Sequence, residues 1–287
     1  MLFSTTLNVA VCALVAAQGV MASKGNHWKS QDFNGHDNNS WKKEWGVSQW
    51  AYPQPHQKSG DNGNLNLVKN PTNSSGQVMQ IAYPKGTWNP ADSTEIGGVG
   101  FYASPLQVPS SASSVSLSYD AYFPNGFQFN KGGKLMGLYG GHSECSGGNN
   151  ADSCWSTRFM WRQHGAGEVY AYIDKSSQKS NLCKEKGVVC NQQYGYSFGR
   201  GSFTWKTGQW NNVKQNIQLN SPGKSDGSLE IFFNGKQVFQ ISNLVFQSGD
   251  WSTIGIDFET FFGGSTSDWA SPTNQYAYFN NFVMSYN

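Results

Sequence analysis

The chain has 287 residues, a formal net charge of +2 and 33 Gly, with 13% charged residues against 15% aromatic ones (11 Trp, 13 Tyr and 18 Phe). Globular domains typically carry about 25% charged residues, so this surface must be built from Asn, Ser, Gln, Gly and Tyr, and a helical bundle or coiled coil is excluded. A near-neutral balance without a run of basic residues argues against a nucleic-acid partner, and the length suits one large all-β domain.

At the start of the chain, Leu7 to Ala17 (LNVAVCALVAA) is apolar but too short to span a bilayer. Val20-Met21-Ala22 then offers a small residue at a cleavage position. Residues 1–22 are therefore expected to be a signal peptide, although the segment lacks Lys and Arg, with 23–287 a single secreted domain. No later stretch approaches ~18 consecutive apolar residues, so no membrane association is expected. Cys12 leaves with the signal. In an oxidising compartment Cys145, Cys154, Cys183 and Cys190 imply two disulfides out of three possible pairings. The spacing favours Cys145–Cys154 and Cys183–Cys190, each closing a short loop. No CxxC or nearby His pair supplies zinc-ligand spacing. Asn38-Asn39-Ser40 and Asn73-Ser74-Ser75 are sequons, which makes Asn38 and Asn73 expected glycosylation sites on a secretory route.

Residues 23–62 are polar, Trp-rich and unpatterned, and are expected to wrap one edge of the domain. From Val78 onward, short alternating stretches are separated by Gly, Pro, Asn and Ser, as in antiparallel strands joined by turns. The clearest are 115–123, 134–139, 155–163, 168–174, 210–219, 229–233, 237–241, 253–262 and 275–286. No helix is required. Asn234-Gly235 between two of them is a strong hairpin signal. Many short strands, each with one apolar face, predict a β-jelly-roll sandwich of two antiparallel sheets. The Trp-led strand followed by an Asn-Gly hairpin resembles lectin- and glucanase-type jelly rolls. Trp161, Trp205, Trp210 and Phe232 are expected to point into the core.

The chemistry concentrates between Lys131 and Asp174. Residues 155–163 and 168–174 flank His164-Gly-Ala-Gly167 and should pair as a hairpin. Alternation puts Ser156, Arg158 and Arg162 on one face of the first strand, and Glu168, Tyr170 and Tyr172 on one face of the second. A turn centred near Gly165 would set Arg158 opposite Tyr172. The Arg fork suits a carboxylate. Two phenols can move protons if a neighbouring cation lowers their pKa, and Lys134 on the preceding strand is the candidate cation.

Gly133-Lys-Leu-Met-Gly-Leu-Tyr-Gly-Gly141, Ser156-Thr-Arg-Phe-Met-Trp-Arg162 and Gly167-Glu-Val-Tyr-Ala-Tyr172 resemble the signature blocks of polysaccharide lyase family 14. That family includes alginate lyases of marine molluscs and a uronate-cleaving lyase of Chlorella viruses. The likeness runs from about Gly97 to Tyr286 through the block Gly255–Gly264, while the loop 141–154 and the insertion 175–193 match less well. The resemblance implies a β-jelly roll with its site in a concave sheet, and β-elimination of a 1,4-linked uronan, an acidic polysaccharide, without a metal or other cofactor. It places the family's Lys on Lys134, its Ser and Arg on Ser156 and Arg158, and its tyrosines on Tyr170 and Tyr172. Arg158 and Ser156 would hold the substrate carboxylate. Tyr170 or Tyr172 would serve as base and acid, and Lys134 would either depress a phenol pKa or take the proton itself. Arg162, His142, Glu168, Asp257 and Glu259 are expected to line the groove of a monomer.

Two other readings carry some weight. Asp257 and Glu259 share a face, as a glycoside hydrolase's carboxylates would, but the ExDxxE order is absent and the Lys/Arg/Tyr cluster would go unexplained. A lectin would stack sugars on exposed aromatics without cleaving them.

Overall fold

The computed structural model describes residues 25–37, 39–50, 63–72, 75–93, 95–249 and 251–287. The expected signal segment, both sequon residues Asn38 and Asn73, and part of the 23–62 stretch lie outside them. In chain order the strands are β1 (His27–Ser30), β2 (Val47–Trp50), β3 (Leu65–Lys69), β4 (Gln77–Tyr83), β5 (Val99–Ala103) and β6 (Ser114–Tyr122). Next come β7 (Gly132–Gly140), β8 (Trp155–Arg162), β9 (Gly167–Tyr172), β10 (Val188–Cys190) and β11 (Tyr196–Phe198). The last five are β12 (Trp210–Gln218), β13 (Gly227–Phe233), β14 (Lys236–Leu244), β15 (Thr253–Phe262) and β16 (Gln275–Tyr286).

Two eight-stranded antiparallel sheets result, as a jelly-roll sandwich requires. The back sheet runs β14-β13-β12-β6-β16-β4-β3, with β1 also paired to β16. The front sheet runs β10-β11-β9-β8-β7-β15-β5-β2. Leu117, Val213, Ile217, Phe279 and Met284 of the back sheet pack against Leu138, Phe159, Trp161, Val169 and Phe258 of the front sheet, all completely buried. Tyr119 spans the layers, its ring 5.9 Å from that of Phe159 and its hydroxyl donating to the Met136 carbonyl. Burying each such side chain stabilises by about 1.5–3 kcal/mol, which makes this interlayer the main driving term.

The strands legible as alternating stretches form with ends moved by three residues or fewer, and β15 and β16 match to the residue. The Asn234-Gly235 turn closes the β13–β14 hairpin with φ of 49° and 77°, the two left-handed residues that such a turn needs. Three expectations change. The described residues of the 23–62 stretch are more ordered than their composition suggests, because β1 and β2 extend one sheet each and a single helical turn, α1 (Trp41–Glu44), lies between them. That turn exists to seat two rings: Trp41 and Trp45 are fully buried, 5.3 Å from Phe101 and 4.7 Å from Phe282 respectively. Second, Trp161 and Trp205 are core residues, but Trp210 and Phe232 lie half-buried on the outer face of the back sheet, where Trp210 packs on Tyr122 and Phe232 under Lys214. Trp210 is out of phase with the buried Val213 and Ile217, so alternation turns it outward. Third, the β8–β9 register differs by two residues, with Arg158 opposite Tyr170 and Ser156 opposite Tyr172. The tight turn Gln163–Gly165, with His164 at φ 58°, centres the hairpin on His164 instead of Gly165. A slip of two preserves both faces; a slip of one would have inverted them.

Candidate active site

The outer face of the front sheet collects the polar side chains. β8 contributes Ser156, Arg158 and Arg162, and β9 contributes Glu168, Tyr170 and Tyr172, because their odd-numbered neighbours fill the core. Strict alternation on β7 would point Lys134 away from Tyr139. Instead, a bulge between Lys134 and Gly137 sends both Leu135 and Met136 into the core, which returns Lys134 and Tyr139 to one face. β15 adds Asp257, Glu259 and Phe261, and β5 adds Tyr102 opposite Asp257.

Arg158 lies at the centre, 1% exposed. Its Nη1 donates to Glu259 and sits 3.5 Å from Asp257, while Nε and Nη2 have no partner among the described residues. Burial opposes its charge, but Asp257 and Glu259 more than offset this and hold the guanidinium protonated. The Tyr172 ring is 5.7 Å from this guanidinium and 5.9 Å from the Lys134 ammonium, which also lies 5.2 Å from the Phe261 ring. Lys134 is part-buried. Desolvation, then the neighbouring Arg158 charge, push its pKa down to about 7, against the opposing pull of Glu259 and Asp257. Desolvation also raises the Asp257 carboxyl well above the usual range.

The phenols move opposite to the sequence-based expectation. Burial pushes Tyr172 up to about 12 despite Arg158 and the nearby Gly147 and Gly148 amides. Tyr170 is raised by burial too, and its hydroxyl accepts from the Gly195 amide at 3.0 Å. Both phenols are therefore protonated at neutral pH.

A loop folds over this cluster. Cys145 and Cys154 are disulfide-bonded, as are Cys183 and Cys190. Cys145, Ala151 and Cys154 pack with Met160, Tyr170 and Tyr172 in a cluster of their own, separate from the interlayer core. Ser156 is fully buried beneath that loop and its hydroxyl donates to the Cys145 carbonyl at 2.6 Å, so it fastens the loop to β8.

The remaining expected residues divide. Asp257 and Glu259 join the cluster as the counter-charges of Arg158. Glu168 is completely buried, with one oxygen bound by Arg162 Nε and Nη2 and the other by Arg200 Nε and the Ser197 hydroxyl. Its oxygens are taken, so it braces two arginines and offers no free acceptor to a groove. Arg162 remains partly exposed, its guanidinium 5.7 Å from the Tyr170 ring. His142 is exposed in the loop after β7, bonded to Ser143 and Ser153, and is not among the partners of the central cluster. Sequence reasoning missed Tyr102, whose hydroxyl accepts from the Glu144 amide at 2.8 Å, and Arg200. Tyr102 sits on a strand buried along its whole length, without alternation to read. Arg200 sits in a turn thirty-two residues from Glu168. Among the described residues no three His, Cys, Asp or Glu side chains converge as a metal site.

The family described as Polysaccharide lyase 14 matches residues 71–282. The crystal structure of a marine PL-14 alginate lyase from Aplysia kurodai superposes with a TM-score of 0.78 at 32% identity, covering 91% of this chain and 98% of that one. Alginate lyase vAL-1 from a Chlorella virus gives 0.66 at 26% identity, over 77% of this chain and 89% of that one. The curated protein Exolysin of Paramecium bursaria Chlorella virus 1 is 28% identical over 187 residues, which is 58% of this chain but 28% of that longer protein. With a family match across most of its length and a full-length structural relative at this identity, the chain belongs to the polysaccharide lyase 14 family.

Proposed function

We propose that this protein cleaves a 1,4-linked uronan, alginate or glucuronan, by β-elimination outside the cell. The observation that carries the reading is the placing of both the Lys134 and Arg158 cations within 6 Å of the ring of one protonated phenol, Tyr172. Elimination needs a base for the C5 proton, a cation for the charge that develops on the carboxylate, and an acid for the O4 leaving group. Lys134, with its pKa near 7, is half neutral at physiological pH and serves as base. Tyr172, protonated up to about 12, serves as acid. Arg158 supplies the positive charge beneath them, worth most in a site that excludes water. The Nε–Nη2 edge that lacks a partner is the one that can take a carboxylate bidentately. Because Arg158 is almost fully buried, direct contact requires neighbouring side chains, the Tyr172 ring among them, to shift as substrate enters.

Two disulfides fit a secreted protein, and among the described residues no helix is long and apolar enough to cross a membrane. The test is incubation with polymannuronate, polyguluronate and glucuronan while following the absorbance of unsaturated uronate. New absorbance is the expected result. Binding without absorbance would replace the reading with a lectin, and new reducing ends without absorbance would replace it with a hydrolase.

A further inference from the structure

Away from the sheet face just described lies an open groove of about 840 Å³ between the insertion that follows β9 and the outer strand β14. Lys179, Lys186 and Arg200 line it, and among the described residues Glu185 is the only lining carboxylate, one that already accepts from Asn181. Among the described residues neither lysine has an acidic group within 4.0 Å. The Ser202 hydroxyl at the groove wall is buried without a partner among the described residues, which native structures rarely leave unexplained. Among the described residues β14 pairs only with β13, so its outer edge offers unpaired backbone donors and acceptors to the same space.

The walls are fixed in place. The Cys183–Cys190 disulfide and the bond from the Gly199 amide to the Gly187 carbonyl close one side. The Phe239 ring of the other side packs against Gly187 and Gly199, where no side chain would fit. Arg200 belongs to both regions: it lines the groove, while its Nε reaches Glu168 on the front-sheet face, two residues before Tyr170. Short strands β11 and β10 separate the two, about 10 Å of sheet at the usual interstrand spacing.

We propose that this groove is a second binding site for an acidic polysaccharide, holding a stretch of the same polymer whose neighbouring segment lies over Tyr172. The site rests on the lyase reading for the identity of its ligand. Cationic walls concentrate a polyanion, and a second point of attachment raises the effective concentration of the chain at the first. A tetrasaccharide cleaved at its middle bond extends only two rings to either side of Tyr172 and ends short of the groove, whereas a long chain continues into it.

The double variant Lys179→Ala/Lys186→Ala tests this, with Lys29→Ala/Lys224→Ala, two exposed lysines outside the groove, as the control for net charge. Two steady-state assays compare long alginate with a tetrasaccharide. Binding of long alginate is also measured by titration in a Lys134→Ala background, where nothing is turned over. The groove variant should raise KM for the polymer about threefold to tenfold and weaken its binding by a similar factor. Its tetrasaccharide kinetics should stay within about twofold of the wild type, as should every measurement on the control. Unchanged polymer KM and binding in the groove variant would overturn the proposal, as would equal losses in the control. Absence of unsaturated product from the wild type on every uronan would instead overturn the lyase reading, and the binding titration would still decide the groove.

Discussion

The two sheets are built from similar strands, yet their outer faces differ. On the back sheet, β6 and β12 alternate regularly between buried and part-exposed positions, with Ser, Asn, Lys and Asp turned to water. This is the usual condition of an antiparallel sheet that covers one side of a core. On the front sheet, β5 and β9 are buried throughout, and β8 and β15 nearly so, although the outward residues include Arg158, Glu168, Asp257 and Glu259. Taking such charges out of water costs stability unless each has a partner. The back sheet shows that the fold can be covered without doing so, which makes the front sheet's buried charges a mark of function.

If this contrast is right, substitutions on the front face should change chemistry first and stability second. Lys134→Ala and Tyr172→Phe are expected to lower kcat by about 10²–10⁴-fold, with melting temperatures close to the wild type by calorimetry. Melting temperatures that collapse along with activity would make these two residues structural. Arg158→Met should be different, leaving Asp257 and Glu259 buried without their counter-charge and costing about 3 kcal/mol in urea denaturation. Cys145→Ser/Cys154→Ser, which frees the loop over Tyr172, should cost about 2–4 kcal/mol and at least about tenfold in turnover.

The pH dependence sharpens the comparison. kcat/KM should rise as pH climbs through about 7 and Lys134 gives up its proton, and Tyr172 should not limit activity below about 12. The stability linked to Lys134 has the same sign. Between about 7 and 10.5 the unfolded chain holds a proton that the folded chain has released, so this contribution rises with pH over that window. A rate profile flat from pH 6 to 8 would remove Lys134 as the base. The smallest effect belongs to the back sheet, where Lys214→Gln should stay within about 0.5 kcal/mol of the wild type and leave activity unchanged.

What could be read from the residues was whatever depends on near neighbours. Alternation assigned Arg158, Tyr170 and Tyr172 to one face, and Asn234-Gly235 marked its hairpin, because both follow from local backbone geometry. The bulge at Leu135 and Met136 was not legible, since it is set by how β7 meets β8 and β15 together. The fate of Glu168 was hidden for the same reason: its partner Arg200 arrives from a turn beyond β11. The direction of the phenol shifts was missed because the loop 141–154, which removes Tyr172 from water, carries no periodic pattern. Burial then outweighed the neighbouring cations.

The position of β16 has a consequence for how the molecule comes into being. This strand lies between β4 and β6, with β1 also along it, so among the described residues the β3–β4 pair joins the rest of its sheet only through a strand nearly two hundred residues further along the chain. During synthesis the earlier strands emerge with no neighbour to complete their layer, and the back half of the sandwich stays open until Gln275–Tyr286 has cleared the ribosome. Assembly is thus late, dominated by distant pairings and slow, and while it waits the nascent chain exposes Trp- and Phe-rich segments that other polypeptides can capture.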